Sequence, residues 1–176
     1  MSESAPLRIG ILGAARITER SLVAPARAGG HRLVAVAARD RSRAEAFAAA
    51  HGVERTLGSY ADLLADPEVE VVYNPLANGL HGPWNLAALA AGKHVLTEKP
   101  SASNAAEAEE VMLAARASGT VFMEAFHYLF HPVTRRLHEL LASGELGELR
   151  HAEAMVAIPA PGPTTRAGPS PSPAAP

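Results

Sequence analysis

The chain has no cysteine. That excludes disulfides, thiolate nucleophiles and cysteine-ligated zinc, and it fits a reducing cytoplasm. Neither charge is in marked excess: the formal net charge is −2, which offers no electrostatic case for nucleic acid or an anionic membrane surface. No apolar run approaches the roughly 20 residues that cross a bilayer. Met1 to Arg8 lacks a basic segment followed by an apolar core, so no signal peptide is expected. There is no internal repeat. These absences predict a soluble cytoplasmic protein with neither nucleic acid nor membrane among its partners.

At 176 residues and 48% hydrophobic content, the chain suffices for one well-buried domain and a little more. Short apolar runs alternate with alanine-rich helical stretches. Strands are predicted at Leu7–Leu12, Leu33–Ala37, Val69–Tyr73, His94–Thr97 and Val121–Glu124. Helices are predicted at Ala15–Ala28, Arg41–Ala50, Tyr60–Leu64, Pro83–Ala91, Ser103–Ala117 and Pro132–Leu141, several closed by glycine, as at Gly52, Gly92 and Gly119. Strands that are apolar throughout and separated by helices predict an α/β fold, a doubly wound parallel sheet covered on both faces. A further strand is predicted over Leu149–Ile158. Pro159–Pro176, almost wholly proline, glycine, alanine, serine and threonine, is predicted to be a disordered tail.

The first strand runs into Gly10-Ile11-Leu12-Gly13-Ala14-Ala15-Arg16-Ile17. Gly13 stands where the strand turns sharply into a helix, and Ala15 is small enough to let a pyrophosphate approach the backbone. Free amides at a helix start, helped by its dipole, suit a diphosphate. The match to G-x-G-x-x-G is partial, because Ala15 and Thr18 replace the second and third glycines. A plain tight strand–helix junction is the alternative.

The second strand is followed by the uncharged Ala38 and then Arg39-Asp40-Arg41-Ser42-Arg43. No carboxylate closes that strand to hold a ribose 2′-hydroxyl, whereas a guanidinium suits a 2′-phosphate. Arg39 is the first choice for this contact, with Ser42 or Arg43 in support, and NADP is therefore expected in preference to NAD. In the alternative, the arginines are the solvated start of a helix, with Asp40 or Ser42 as its N-cap. A later strand ends on Glu98-Lys99-Pro100. An acid and a lysine there lie just outside the carboxyl ends of the strands, where an open α/β sheet presents its ligand site. Lys99 in a dry crevice could trade a proton with a substrate hydroxyl; a solvated surface turn is the alternative.

These segments, together with Asn74-Pro75-Leu76-Ala77-Asn78-Gly79-Leu80-His81 and Met123-Glu124-Ala125-Phe126, resemble the Gfo/Idh/MocA family over roughly Leu7 to Ile158. That family comprises glucose–fructose oxidoreductase, inositol dehydrogenase and relatives; its NADP-dependent sugar and dihydrodiol dehydrogenases are nearest in kind. The resemblance implies a two-domain oxidoreductase. A Rossmann domain over 1–125 would bind NADP or NAD, and an α+β domain beginning at 126–158 would cover the substrate. Hydride would pass between nicotinamide and a sugar, polyol or dihydrodiol, with Lys99 as acid or base. The implied cofactor site takes Gly10, Gly13, Ala14, Ala15, Arg16 and Ile17 from the first turn. Arg39, Asp40, Ser42 and Arg43 come from the second strand's end. Leu76, Asn78, His81, Glu98, Lys99 and Pro100 lie toward the nicotinamide ribose. In many members a cis bond precedes the proline that Pro100 matches. His81 has a second reading, as the helix-start residue before Gly82-Pro83. Leu129 stands where relatives often carry arginine, which bears on any substrate contact there. His127 and His131 have the spacing of helical zinc ligands, but Pro132 and the lack of a third ligand argue against a metal site.

Relatives run to roughly twice this length, so the second domain is expected to be truncated and the family's homo-oligomer interface largely missing. Hydride transfer would then be impaired, because half a cleft neither fixes substrate nor excludes water. A non-catalytic dinucleotide-binding remnant or sensor is the alternative. A Rossmann-like domain using another nucleotide, such as S-adenosylmethionine, is a third reading and leaves Glu98-Lys99-Pro100 without a role. The abrupt change of composition suggests a shift of reading frame. With GC-rich codons, Pro163–Pro176 re-read in another frame becomes Asp-Asp-Pro-Arg-Trp-Ser-Leu-Ser-Leu-Ala-Gly-Gly-Ala-Leu, which looks like the family's continuation.

Overall fold

Six short strands lie parallel in the computed structural model, which describes residues 5–157. They are β1 (Arg8–Leu12), β2 (Arg32–Ala37), β3 (Thr56–Leu57), β4 (Val71–Asn74), β5 (His94–Thr97) and β6 (Phe122–Glu124). Their order is β3-β2-β1-β4-β5-β6. The chain therefore winds from the middle to one edge, crosses back, and winds to the other. All six carboxyl ends share one edge of the sheet, and the winding reverses between β1 and β4. An open α/β sheet presents its ligand crevice at that reversal.

Side-chain alternation, interrupted in β2 by a register shift that skips Val34, separates two cores. On one face, Ile9, Ile11, Leu33, Val36 and Tyr73 pack with Leu22, Val23, Ala26 and Phe47. The first three of these helical residues belong to a π-turn, Glu19–Val23, and to α1 (Ala24–Ala28), which continues it; Phe47 belongs to α2 (Arg41–His51). On the other face, Leu12, Val34, Val72 and Val95 meet Leu63, Leu64, Ala88, Leu89 and Val111. Those come from α3 (Tyr60–Ala65), α4 (His81–Ala90) and α5 (Ala105–Ser118). The doubly wound α/β architecture is thus the one the apolar pattern predicts.

The first unit ends at His127 and the second starts at Tyr128. In the second, α6 (Pro132–Ala142) starts with His131 as its cap, the ring Nδ1 accepting from the Val133 amide at 3.2 Å. The strand expected over Leu149–Ile158 is not formed: 149–157 carries no strand, and Met155 and Val156 are 88% and 84% exposed. A strand is stable only within a ladder, and no described segment pairs with this one. Ile158 and the expected tail, Pro159–Pro176, lie outside the described residues. Among the described residues, no helix is long and apolar enough to cross a membrane.

One polar knot ties α3 to the sheet's amino edge. The Asp66 side chain, 9% exposed, pairs with Arg55 at 2.7 Å and accepts from the Glu68 amide at 2.9 Å. Lys93 donates to the carbonyls of Asp66 and Val69 at 2.8 and 2.7 Å. Burial alone would raise the Asp66 carboxyl, but the Glu68 amide, Arg55 and Lys93 together hold it below its usual value. A depressed carboxyl contributes stability that is present above its unfolded pKa and lost as pH falls through the folded one. Asp66→Asn is expected to cost about 1–3 kcal/mol at neutral pH. Urea melts should show that difference shrinking as the pH is lowered through the acidic range. An equal penalty at every pH would overturn the assignment.

Candidate functional site

The carboxyl ends of β1, β2 and β4 enclose a cleft of about 510 Å³. The turn after β1 supplies Gly13, Ala14 and Ala15, and the end of β2 supplies Ala38, Arg39, Asp40 and Arg43. Tyr60 enters from the start of α3, and Pro75, Leu76, Ala77 and Leu80 line the wall beyond β4. Gly13 has φ +83° and donates its amide to the Ala37 carbonyl at 2.6 Å. A Cβ at Gly13 would stand 2.9 Å from Leu76 Cδ2, so glycine serves both the left-handed backbone and the close approach. The helix starts later than Ala15, because the Thr18 amide first turns back to the Ala15 carbonyl. Thr18 occupies the place of the fingerprint's third glycine. It is fully buried, and its Oγ1 has no hydrogen-bond partner among the described residues.

Other residues expected at this site are placed elsewhere. Gly10 lies within β1 and faces the core, where an added Cβ would meet Leu63 and Val69 at 2.9 Å. Arg16, Ile17 and Asn78 are exposed and do not line the cleft. At the end of β2 the helix-cap reading and the cleft reading both hold. Asp40 Oδ1 accepts from the Ser42 amide at 2.9 Å and from its hydroxyl at 2.6 Å, capping α2. The Ser42 hydroxyl foremost, and then its amide, keeps the Asp40 carboxyl below its ordinary value. Arg43 reaches across to the Ala14 carbonyl at 3.2 Å, bracing the glycine turn. Arg39 is exposed on the cleft wall and makes no hydrogen bond or ion pair among the described residues. Tyr60, set edge-on to Trp84 with ring centres 4.9 Å apart, was not expected here. Ser59, which caps α3 at the Asp62 amide, was the local signal for its placement.

Further along the same edge, β5 runs out at Thr97 into Glu98, Lys99 and Pro100. Glu98 accepts from the Tyr73 hydroxyl at 2.7 Å, and that hydroxyl also meets Ser21 Oγ at 2.6 Å. Tyr73 is almost wholly buried, and burial above all raises its phenol, with Glu98 adding to the effect and Ser21 opposing it. Neither Ser21 nor Tyr73 was expected from the sequence. The Lys99–Pro100 peptide is cis. Lys99 itself is exposed, and its ammonium has no hydrogen bond or ion pair among the described residues. His81 was expected at the nicotinamide end, but it is 1% exposed. Its two ring nitrogens lie 2.6 Å from the Pro100 carbonyl and 2.7 Å from the Leu76 carbonyl. Among the described residues, no cluster of histidine and acidic side chains is arranged to hold a metal ion.

A family model described as "Oxidoreductase family, NAD-binding Rossmann fold" (GFO_IDH_MocA) matches residues 7–126. The D-xylose 1-dehydrogenase (NADP(+)) 2 of Haloferax volcanii is 45% identical over 141 residues, covering 80% of this chain and 43% of that protein. The mouse trans-1,2-dihydrobenzene-1,2-diol dehydrogenase is 47% identical over 124 residues, covering 70% of this chain and 37% of its own length. A 3-ketoreductase from Actinomadura kijaniata, solved with NADP and TDP-benzene, superposes with a TM-score of 0.72 at 36% identity. That match covers 79% of this chain and 43% of the reductase. The chain thus spans about two-fifths of the length of the relatives it matches. The strand order, the glycine turn at the winding reversal and the match over 7–126 agree: this chain belongs to the Gfo/Idh/MocA oxidoreductase family.

Proposed function

We propose that this chain binds NADP(H) along the carboxyl edge of β2, β1, β4 and β5. It then serves hydride transfer to or from the reacting carbon of a sugar, polyol or dihydrodiol. The observation that carries the reading is the cleft itself, in which a positive-φ glycine turn stands beside an uncommitted arginine. From β2 to β5 is three strand spacings, about 14 Å, so an extended dinucleotide can reach from Arg39 to Lys99. Gly13 leaves open a cradle that any Cβ would fill, which fits close approach of a diphosphate to the backbone. Arg39 would take the 2′-phosphate through charge-assisted bonds, with Arg43 bracing the turn. Glu98, held by Tyr73, would orient the nicotinamide-ribose end, and Lys99 would give a proton to, or take it from, the substrate oxygen. The bound cofactor supplies or accepts the hydride.

The names of the relatives support a hydroxyl or ketone of a sugar-like substrate, and two of them specify NADP. Fluorescence titration of the purified chain with NADPH and NADH tests the cofactor reading, and a panel of aldoses, polyols and dihydrodiols tests turnover. Tight NADPH binding without turnover would favour a dinucleotide sensor; no binding of either nucleotide would sink the reading. Arg39→Ala is expected to weaken NADPH roughly 10- to 100-fold, as loss of a charge-assisted bond should. NADH, which lacks the phosphate, should bind the variant and the parent alike. Equal loss for both nucleotides would remove Arg39 from the phosphate contact.

A further inference from the structure

Three polar side chains are buried where α4 meets the sheet: Asn74 and Asn85 at 0% exposure and His81 at 1%. Groups of this kind stay inside only when their hydrogen bonds are satisfied. Here nearly all of those bonds go to the backbone of two segments. Asn74 Nδ2 donates to the His81 carbonyl at 3.2 Å and to Asn85 Oδ1 at 2.8 Å. Asn74 Oδ1 accepts from the Leu76 amide at 3.3 Å, and Asn85 Nδ2 donates to the Ser101 carbonyl at 3.0 Å. His81 completes the set through Pro100 and Leu76. Carbonyl oxygens only accept, so a ring N–H of His81 donates to one of these two carbonyls, which one being set by the tautomer.

The turn after β5 is pinned at almost every position. The Glu98 amide bonds the Asn74 carbonyl at 2.9 Å, and the Ser101 amide bonds Glu124 at 2.8 Å. The Pro100 and Ser101 carbonyls are held by His81 and Asn85. Between these tethers the Lys99 side chain is exposed and has no partner among the described residues. We propose that His81 is a positioning residue: by clasping the Pro100 and Leu76 carbonyls it sets where Lys99 stands relative to the cleft wall that Leu76 forms. The inference rests on the proposed NADP(H) site and goes beyond it, since it gives His81 no contact with the cofactor.

Lys93 and Lys99 are the only lysines in the chain, so reductive ¹³C-methylation of the folded protein yields a nearly empty spectrum. Lys99→Arg assigns the Lys99 signal. In the parent, NADPH is expected to shift that signal and leave Lys93 in place. In His81→Leu, at saturating NADPH, the shift of the Lys99 signal should be lost, whereas His81→Gln, which keeps an N–H donor, should restore part of it. A full shift in His81→Leu would overturn the proposal. A parent that binds NADPH without moving the Lys99 signal would overturn the reading of Lys99, and this inference with it. Failure to bind NADPH at all is a separate outcome, which sinks the cofactor site first and the clasp's role after it. Should neither variant fold, the ring N–H of His81 in the parent decides: a signal protected from solvent exchange and coupled to the Pro100 or Leu76 carbonyl supports the clasp, and a freely exchanging one refutes it.

Discussion

Lys99→Ala is expected to lower turnover by roughly 10²- to 10⁴-fold, the range in which a positioned proton donor or acceptor contributes. NADPH affinity should stay at the parent value, because the cleft wall contains Gly13, Arg39 and Leu76 but not Lys99. The assignment rests on contrast. Glu98 is held by Tyr73, Pro100 by His81, Ser101 by Glu124 and Asn85, yet the Lys99 side chain is held by nothing among the described residues. A free ammonium on an otherwise immobilised turn is available to a substrate oxygen and arrives there in a fixed position. Lys99→Arg should rescue poorly. A guanidinium keeps the charge but does not release a proton in the working pH range. Steady-state kinetics on the same substrate panel read both variants. Unchanged turnover in Lys99→Ala would remove it from the chemistry, and full rescue by arginine would reduce its role to charge alone.

The elements that make up the sheet were legible because a buried parallel strand has to be a short apolar run. His94–Thr97 is placed residue for residue as its run predicts, and the glycine caps at Gly52 and Gly119 stop α2 and α5 in left-handed geometry. Thr56–Leu57 was not legible: two residues make no run, and β3 exists only because Val36 and Ala37 offer them a ladder. The strand expected over Val69–Tyr73 moves to Val71–Asn74 for tertiary reasons. Lys93 binds the Val69 carbonyl, and Asn74 extends the pairing with Thr97. At the site, the glycine turn and Arg39 could be read from position along the chain. What His81 does could not. Its two acceptors lie 5 and 19 residues away, and only the folded sheet brings the Pro100 turn beside Leu76. The Ser21–Tyr73–Glu98 chain was hidden for the same reason, being assembled from a helical turn, a strand and the turn after β5.

Gly10 and Gly13, both expected at the cofactor site from the run that follows Ile9, are expected to separate under mutation. Gly13→Val should weaken NADPH by at least about 100-fold. A left-handed residue costs roughly 1–2 kcal/mol, and a β-branched one at φ +83° is worse placed still. Its Cβ also meets Leu76 Cδ2, the opposite wall of the cleft. Relief requires the turn to open or Leu76 to move, and either one spoils the approach of a diphosphate to the backbone. Gly10→Ala should behave differently. Its Cβ points away from the cleft and into Leu63 and Val69, so the cost is overpacking, about 1–3 kcal/mol of stability. The folded fraction of that variant should bind NADPH as the parent does. Urea denaturation and nucleotide titration on both variants give four numbers, and the pattern is diagnostic. If Gly10→Ala lost binding while keeping its stability, the cradle would extend back into β1. A Gly13→Val chain that still bound NADPH tightly would show that the diphosphate lies elsewhere on the edge.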